Sequence, residues 1–406
     1  MARSVTHDQR SGVDLLAGSF YANDPHPHWQ WMRENAPAYF DESSGVWGLT
    51  GYDEVLGASK DPARFSNAKS IRPLAQNVSD NMIDKDDPEH KARRMLVNRG
   101  FTPKRVRDKT VEIKKICNQI IDGVCESGEA DFVWDIAAPL PLLLIGDMLG
   151  FDRSMSDQLL EWSDDLLRSL SKDASPEQLE KSMMAALGFR EYQMDVIADR
   201  RSKPPQEDLV SILCHGEVDG AKLDDEALVM EALLILIGGD ETTRHVISGG
   251  MLALIENPDQ RARLMSGEVP IETGIEEMLR WVTPIKNMNR TATCDIDIAG
   301  QTIGEGDSVL LFYPSANRDT AYFDDPHRFD VSRTPNHHLA FGFGTHFCLG
   351  SALARLELEV MFETLFERLP DIELAPGAEL PMRPANFVVG LEAMPVVFTP
   401  TESAGS

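Results

Sequence analysis

A helical pattern of roughly 30 residues, about 45 Å at the α-helical rise, runs from the N-capping pair Asp224-Asp225 to Glu256-Asn257 and stops before Pro258. A helix that long crosses a whole globular protein. Its segment Ala232-Leu-Leu-Ile-Leu-Ile237 is apolar on every face, the signature of a helix buried all round. The rest of the chain must therefore wrap around it.

What wraps it is mostly helix. Residues 86 to 270 carry helix-period apolar spacing, with capped starts at Ser154-Met-Ser-Asp and Ser175-Pro-Glu-Gln. Strand signals are short and few: Val46-Trp-Gly-Leu, Asp295-Ile-Asp-Ile-Ala-Gly, Ser308-Val-Leu-Leu-Phe and Ala393-Met-Pro-Val-Val-Phe. The expectation is a mainly α protein with small β-sheets. With no internal repeat and no Gly/Ser-rich linker, residues 1–406 read as a single domain.

A formal net charge of −27 argues against a general attraction to nucleic acid or anionic lipid. One region departs from this. From Lys91 to Lys115 there are ten basic residues against only Asp108 and Glu112; this is either a solvated helical face or a docking patch for an anionic partner. The five cysteines are scattered and without CxxC spacing, so no disulfide framework or zinc site is implied. The first residues are polar, and the longest apolar run, Ala137 to Ile145, holds Pro139 and Pro141 and is too short for a bilayer. No transmembrane segment and a cytoplasmic setting are expected.

The middle of the long helix breaks its own pattern with Gly238-Gly239-Asp240-Glu241-Thr242-Thr243. Each glycine costs up to about 1 kcal/mol relative to alanine, and buried polar groups need partners. Either the helix emerges into solvent here, or a flat ligand presses on its backbone while a hydroxyl beside an acid relays protons. Apolar periodicity resumes at Val246 and Ile247, which favours the second reading. Gly-Gly-Asp-Glu also opens the diguanylate cyclase signature, but that motif belongs to a β-hairpin, so it is rejected.

The second constellation is Phe341-Gly342-Phe343-Gly344-Thr345-His346-Phe347-Cys348-Leu349-Gly350, ahead of the helical Ala352-Leu-Ala-Arg-Leu-Glu-Leu-Glu. A lone cysteine is usually a small buried hydrophobe. Here, however, Gly342, Gly344 and Gly350 allow a tight loop whose amides can face the sulfur, and a helix N-terminus follows. Those are the needs of an anionic metal ligand.

These residues resemble the cytochrome P-450 superfamily. Its haem-binding pattern Phe-x-x-Gly-x-x-x-Cys-x-Gly falls on Phe341, Gly344, Cys348 and Gly350, and its oxygen-activating helix motif falls on Gly238, Gly239, Glu241 and Thr242. The resemblance implies the fold of that family, with the long helix over a haem b (iron protoporphyrin IX) whose iron is held by the thiolate of Cys348. It implies Glu241 and Thr242 as the catalytic proton-delivery pair, and His90, Arg94, Arg290 and His346 as holders of the two haem propionates. Gly238, Phe341 and Gly350 would also contact the cofactor. Glu277 and Arg280, a Glu-x-x-Arg pair, together with Arg328 of Pro326-His-Arg-Phe, would form a structural ion-pair network.

The likeness covers about Phe20 to Pro400. Its closest form, carried by Met82-Ile-Asp-Lys-Asp-Asp-Pro-Glu-His, Leu236-Ile-Gly-Gly-Asp-Glu-Thr-Thr-Arg-His, Ala340-Phe-Gly-Phe-Gly-Thr-His-Phe and Asn386-Phe-Val-Val-Gly-Leu-Glu-Ala-Met-Pro, is to actinobacterial cholesterol side-chain (steroid C-26) monooxygenases. That implies oxidation of a terminal methyl of cholesterol or cholest-4-en-3-one, onward to the acid. The family geometry points to a pocket walled by Ile71, Leu74, Met82, Ile83 and Leu234, with Ile235, Met288, Phe387 and Val388 completing it. No strand is followed by a flavin or nicotinamide glycine fingerprint, so electrons would come from a ferredoxin and ferredoxin reductase. Competing readings are a fatty-acid or branched-lipid hydroxylase of the same fold and a haem-binding sensor without oxidation chemistry.

Overall fold

The computed structural model describes residues 9–73 and 78–404. Its axis is the helix Asp225–Glu256, capped by the Asp224 carboxylate, which accepts the Ala227 N–H at 2.8 Å, and ending at Asn257 against Pro258. Around it pack Pro139–Leu149, Pro176–Ser202, Ile271–Val282 and Ser351–Arg368. The close approach is made by small residues. A Cβ on Gly239 would lie 2.7 Å from Ile145 Cγ1 of Pro139–Leu149, and one on Gly249 would meet Val282 at 2.9 Å, so side chains there would push the neighbouring helices off.

The central helix stays unbroken through Gly238-Gly239. Gly238 is the exposed point in its middle, with nothing within 4 Å of where a Cβ would stand. That exposure is to an internal cavity rather than to bulk solvent.

The larger sheet has five strands in the order Ala38–Asp41, Val46–Leu49, Ser308–Leu311, Met288–Ala292, Phe65–Ser66. Val46–Leu49 runs parallel to Ser308–Leu311 and the other pairs are antiparallel. Two of the four sequence-predicted strands, at Val46–Leu49 and Ser308–Leu311, coincide closely with observed ones, and the other two contract to Ile296–Ile298 and Pro395–Val397. Met288-Asn-Arg-Thr-Ala292 gave no strand signal because its polar residues are buried on both faces of a central strand.

The capping box at Ser175 forms as predicted, Ser175 Oγ accepting from the Gln178 N–H while Gln178 reaches back to the Ser175 N–H. Ser154 does not cap. Asp152 caps a short 3-10 turn, Arg153–Met155, which leads into the helix Ser156–Arg168. Among the described residues, Phe132–Leu149 is long and apolar enough to cross a membrane, but 72% of it is buried inside the protein, where it packs on the central helix.

Candidate active site

Against the middle of the central helix lies a cavity of about 800 Å³. One wall is Gly238 and Thr242; facing it are Phe341, Cys348 and Gly350. Ile71, Met82, Ile83, Leu234 and Ile235 line it too, as do Met288, Phe387 and Val388. The structure thus brings together the predicted pocket residues, except Leu74, which lies outside the described residues.

The Cys348 loop is built by its glycines. Gly342 and Gly344 have φ of +67° and +75°, a region that carries a penalty for any other residue. A Cβ on Gly344 would also sit 2.3 Å from the Ser59 carbonyl oxygen. The Cys348 N–H donates to the Phe341 carbonyl at 2.9 Å and closes the turn. Gly350 has an ordinary φ of −84°, so its value is open space toward the cavity rather than backbone freedom. Burial pushes the Cys348 thiol up; the hydrogen bond from the Gly350 amide, the positive charges of Arg94 and Arg355 and the hydrogen bond from the Ser351 amide oppose that. An isolated thiol is neutral in such a place, whereas a thiolate bound to a cation is held by those donors.

At one edge of the cavity stand four basic side chains. The helix Glu89–Val97 presents His90 and Arg94 from one face. The His90 and His346 rings lie 4.0 Å apart between centroids. His90 Nδ1 meets the Asp87 carboxylate at 3.2 Å, Arg94 donates to the Phe347 carbonyl, and Arg290 donates to the Asn289 carbonyl at 2.9 Å and to the Tyr313 hydroxyl. Burial, then His90, Arg290 and Arg94, depress His346 to about 2. This is a crowd of donors and positive charge arranged to receive anions.

Thr242 and Glu241 face different ways. Thr242 lines the cavity and its Oγ1 donates to the Gly238 carbonyl at 2.9 Å. Glu241 is fully buried beside it but does not line the cavity. Its Oε2 accepts from Arg244 and, at 2.8 Å, from Arg383, and Arg383 also binds Asp164 and Glu392. Burial alone would raise the Glu241 carboxyl, but the two guanidiniums outweigh it and hold it well below the usual range. Glu241 Oε1 remains buried without a partner. Next to it, burial and the charge of Glu241 lift Asp240 to about 7, and Ser163 donates to it at 2.9 Å.

The ion-pair network needs one correction. Glu277 accepts from Arg280 Nε and Nη2, both at 2.7 Å, and from Arg333 Nε at 3.2 Å; the Arg328 side chain is exposed and takes no part. Arg328 contributes its carbonyl oxygen, which accepts from Arg280 at 3.2 Å and Arg333 at 3.0 Å. The turn after Asp325, whose φ is +47°, aims the backbone inward and lets the chain return with Arg333. Motif position favoured Arg328, and spacing alone could not distinguish the two. Arg383 and Arg355 were also missed, since their acidic partners Glu241 and Glu276 lie far away in sequence.

The basic stretch divides. Arg93 is buried in pairs with Asp80, Glu89 and Glu231, Lys109 pairs with Glu112, and Lys114 with Glu367. Lys91, Arg99, Lys104, Arg107 and Lys115 are exposed with no salt bridge among the described residues. Met95, Phe343 and Phe347 are exposed apolar side chains from the same helix and from the Cys348 loop.

The family model described as Cytochrome P450 matches residues 147–267 and 271–397. The chain is 51% identical over 395 residues to a "Steroid C26-monooxygenase" of Mycobacterium tuberculosis, covering 97% of this chain and 98% of that protein. It is 36% identical to a "Methyl-branched lipid omega-hydroxylase" of Mycobacterium bovis, covering 89% and 86%. Among solved structures, CYP109E1 of Bacillus megaterium in complex with testosterone aligns with a TM-score of 0.86 at 32% identity, covering 94% of this chain and 99% of that one.

Proposed function

This chain belongs to the cytochrome P450 family, whose members are haem-thiolate enzymes, and on that premise we propose that it is a monooxygenase that hydroxylates the terminal side-chain methyl of cholesterol or cholest-4-en-3-one and carries it on to the acid. The observation that supports this substrate most directly is identity near one half to steroid C26-monooxygenases across nearly the whole chain. Residues 1–406 act as one catalytic unit in the cytoplasm.

The cavity fits haem b. Cys348 would hold the iron, with the Gly350 and Ser351 amides stabilising its sulfur. His90, Arg94, Arg290 and His346 would receive the propionates, a role that explains why cations are crowded where they repel each other's protons. Phe341, Gly350 and the bare Gly238 backbone leave room for a flat ring. Haem, when bound, would supply reductive activation of dioxygen, one atom of which enters the C–H bond while the other leaves as water with the two delivered electrons and two protons.

Thr242 Oγ1 is a proton donor on the cavity wall, held in place by the Gly238 carbonyl. Glu241 acts behind it: its partnerless Oε1 can accept from a water, while Arg244 and Arg383 anchor Oε2. The apolar walls Ile71, Met82, Ile83, Leu234, Ile235 and Phe387 exclude water and take the sterol rings, and Met288 and Val388 pack in the same apolar cluster as Ile71, Ile83 and Phe387. Electrons arrive from a ferredoxin reduced by its reductase, docking on Lys91, Arg99, Lys104, Arg107 and Lys115 around Met95, Phe343 and Phe347.

The test is turnover with a reconstituted ferredoxin system. Cholest-4-en-3-one should yield a terminally hydroxylated product. Product from methyl-branched fatty acids with none from the sterol would favour the lipid hydroxylase, a reading that the 36% identical relative supports.

A further inference from the structure

The chain's buried arginines each hold at least one acceptor, although Arg93, Arg244, Arg261 and Arg318 keep one or two N–H groups unpaired. Arg280 binds Glu277 and backbone carbonyls; Arg383 binds Glu241, Asp164 and Glu392; Arg261 and Arg318 donate to main-chain oxygens. Arg72 is different. It lines the cavity, its side chain makes no hydrogen bond among the described residues, and its Nη1 is buried without a partner. Its guanidinium stacks over the ring of Phe387, another cavity residue.

The nearest counter-charge is already engaged. Asp84 Oδ1 accepts the Ile71 N–H at 2.7 Å, and the carboxylate also takes hydrogen bonds from Ser70 and Ser79. Asp84 therefore tempers the charge of Arg72 without consuming its N–H groups. Burial drives the guanidinium well below its usual basicity, the cost expected of a cation kept from water without a bonded anion.

A buried donor left unpaired costs about 1–3 kcal/mol, more when charged, and Arg72, unlike Arg93, Arg244, Arg261 and Arg318, lines the cavity, where a ligand can supply the acceptor. Arg72 is seated on Phe387 rather than on the Cys348 loop. Its neighbours on the wall are Phe387, Ile71 and Pro73, and Leu167 and Leu170 pack in the same apolar cluster as Ile71 and Phe387. Resting on the sterol reading above, we propose that Arg72 is the specificity residue for the polar end of the substrate. It donates from its guanidinium to an oxygen acceptor on the ring system, the 3-oxo group of a 4-en-3-one, and so seats the side chain toward Cys348. A guanidinium has donors and no acceptor, so it favours the conjugated ketone over a ring that lacks oxygen.

The haem-loaded protein is titrated with cholest-4-en-3-one and with cholest-4-ene, which lacks the ring oxygen, following the absorbance change on binding. For the wild type the ketone should bind about tenfold or more tightly, the ratio a charge-assisted hydrogen bond delivers. Arg72→Met should weaken the ketone about tenfold and leave the oxygen-free sterol within about threefold, and Arg72→Lys should recover part of the difference. Equal affinities of the wild type for the two sterols would overturn the proposal whether or not the variant folds, and so would an equal loss for both in Arg72→Met. If neither sterol binds the wild type at all, it is the sterol reading itself that fails.

Discussion

Two charged centres in the interior are built on opposite plans. Around Glu277 the charges are matched: all five N–H groups of Arg280 find acceptors in Glu277, Asn317, Pro326 and Arg328, and the carboxylate also takes Arg333, Asn336 and the Asp330 amide. Around Cys348 the basic groups are in excess: His90, Arg94, Arg290 and His346 crowd one edge, with Asp87 bound to His90. A closed network holds a fold; an open one holds a ligand. Removing a member should therefore cost stability in the first and binding or chemistry in the second.

The largest effect falls on the open centre. Cys348→Ala should abolish the thiolate-bound haem, read as loss of the protein's characteristic visible spectrum, while circular dichroism stays helical. In the closed centre, Glu277→Gln should destabilise by about 3–5 kcal/mol, the cost of stranding a buried guanidinium, measured by denaturant unfolding. Arg333→Leu should cost about 2–3 kcal/mol and Arg328→Leu under about 0.5 kcal/mol, because Arg328 serves through a carbonyl that leucine keeps. Equal losses for the two would break the assignment of the network.

A smaller effect belongs to Thr242. Thr242→Ala should leave stability and haem content as they are and lower product formed per electron about tenfold, with the balance appearing as peroxide; unchanged coupling would remove Thr242 from proton delivery. The smallest concerns Glu276 behind the loop. Burial raises its carboxyl, but hydrogen bonds from Arg355 and His338 dominate and depress it to about 2. A depressed carboxyl adds stability above its ordinary pKa and loses it as pH falls, so the contribution should fade between pH of about 4.5 and 2. The partners are part-exposed, so the effect should be at most about 1 kcal/mol. An acid-unfolding curve for Glu276→Gln that matches the wild type would count against it.

What could be read in advance was whatever local pattern determines. The central helix ends where Asp224 and Pro258 placed it, and the glycine-framed Cys348 loop is as tight as its spacing required. What failed depended on distant partners. Glu241 and Thr242 are adjacent in sequence, yet only the threonine faces the cavity, because Arg383, 142 residues away, draws the carboxylate aside. The choice between Arg328 and Arg333 turned on one turn's backbone direction. The strand Met288–Ala292 has too polar a sequence to look buried, and its Arg290 is buried with its side chain on the cavity wall.

Everything depends on an ionised sulfur at residue 348 bound to iron. The absorption spectrum of the reduced, carbon-monoxide-bound protein measures that bond directly. A thiolate-type Soret band that disappears in Cys348→Ala is the predicted result. An imidazole-type band in the wild type, or protein that stays colourless after expression with ample haem, would contradict it.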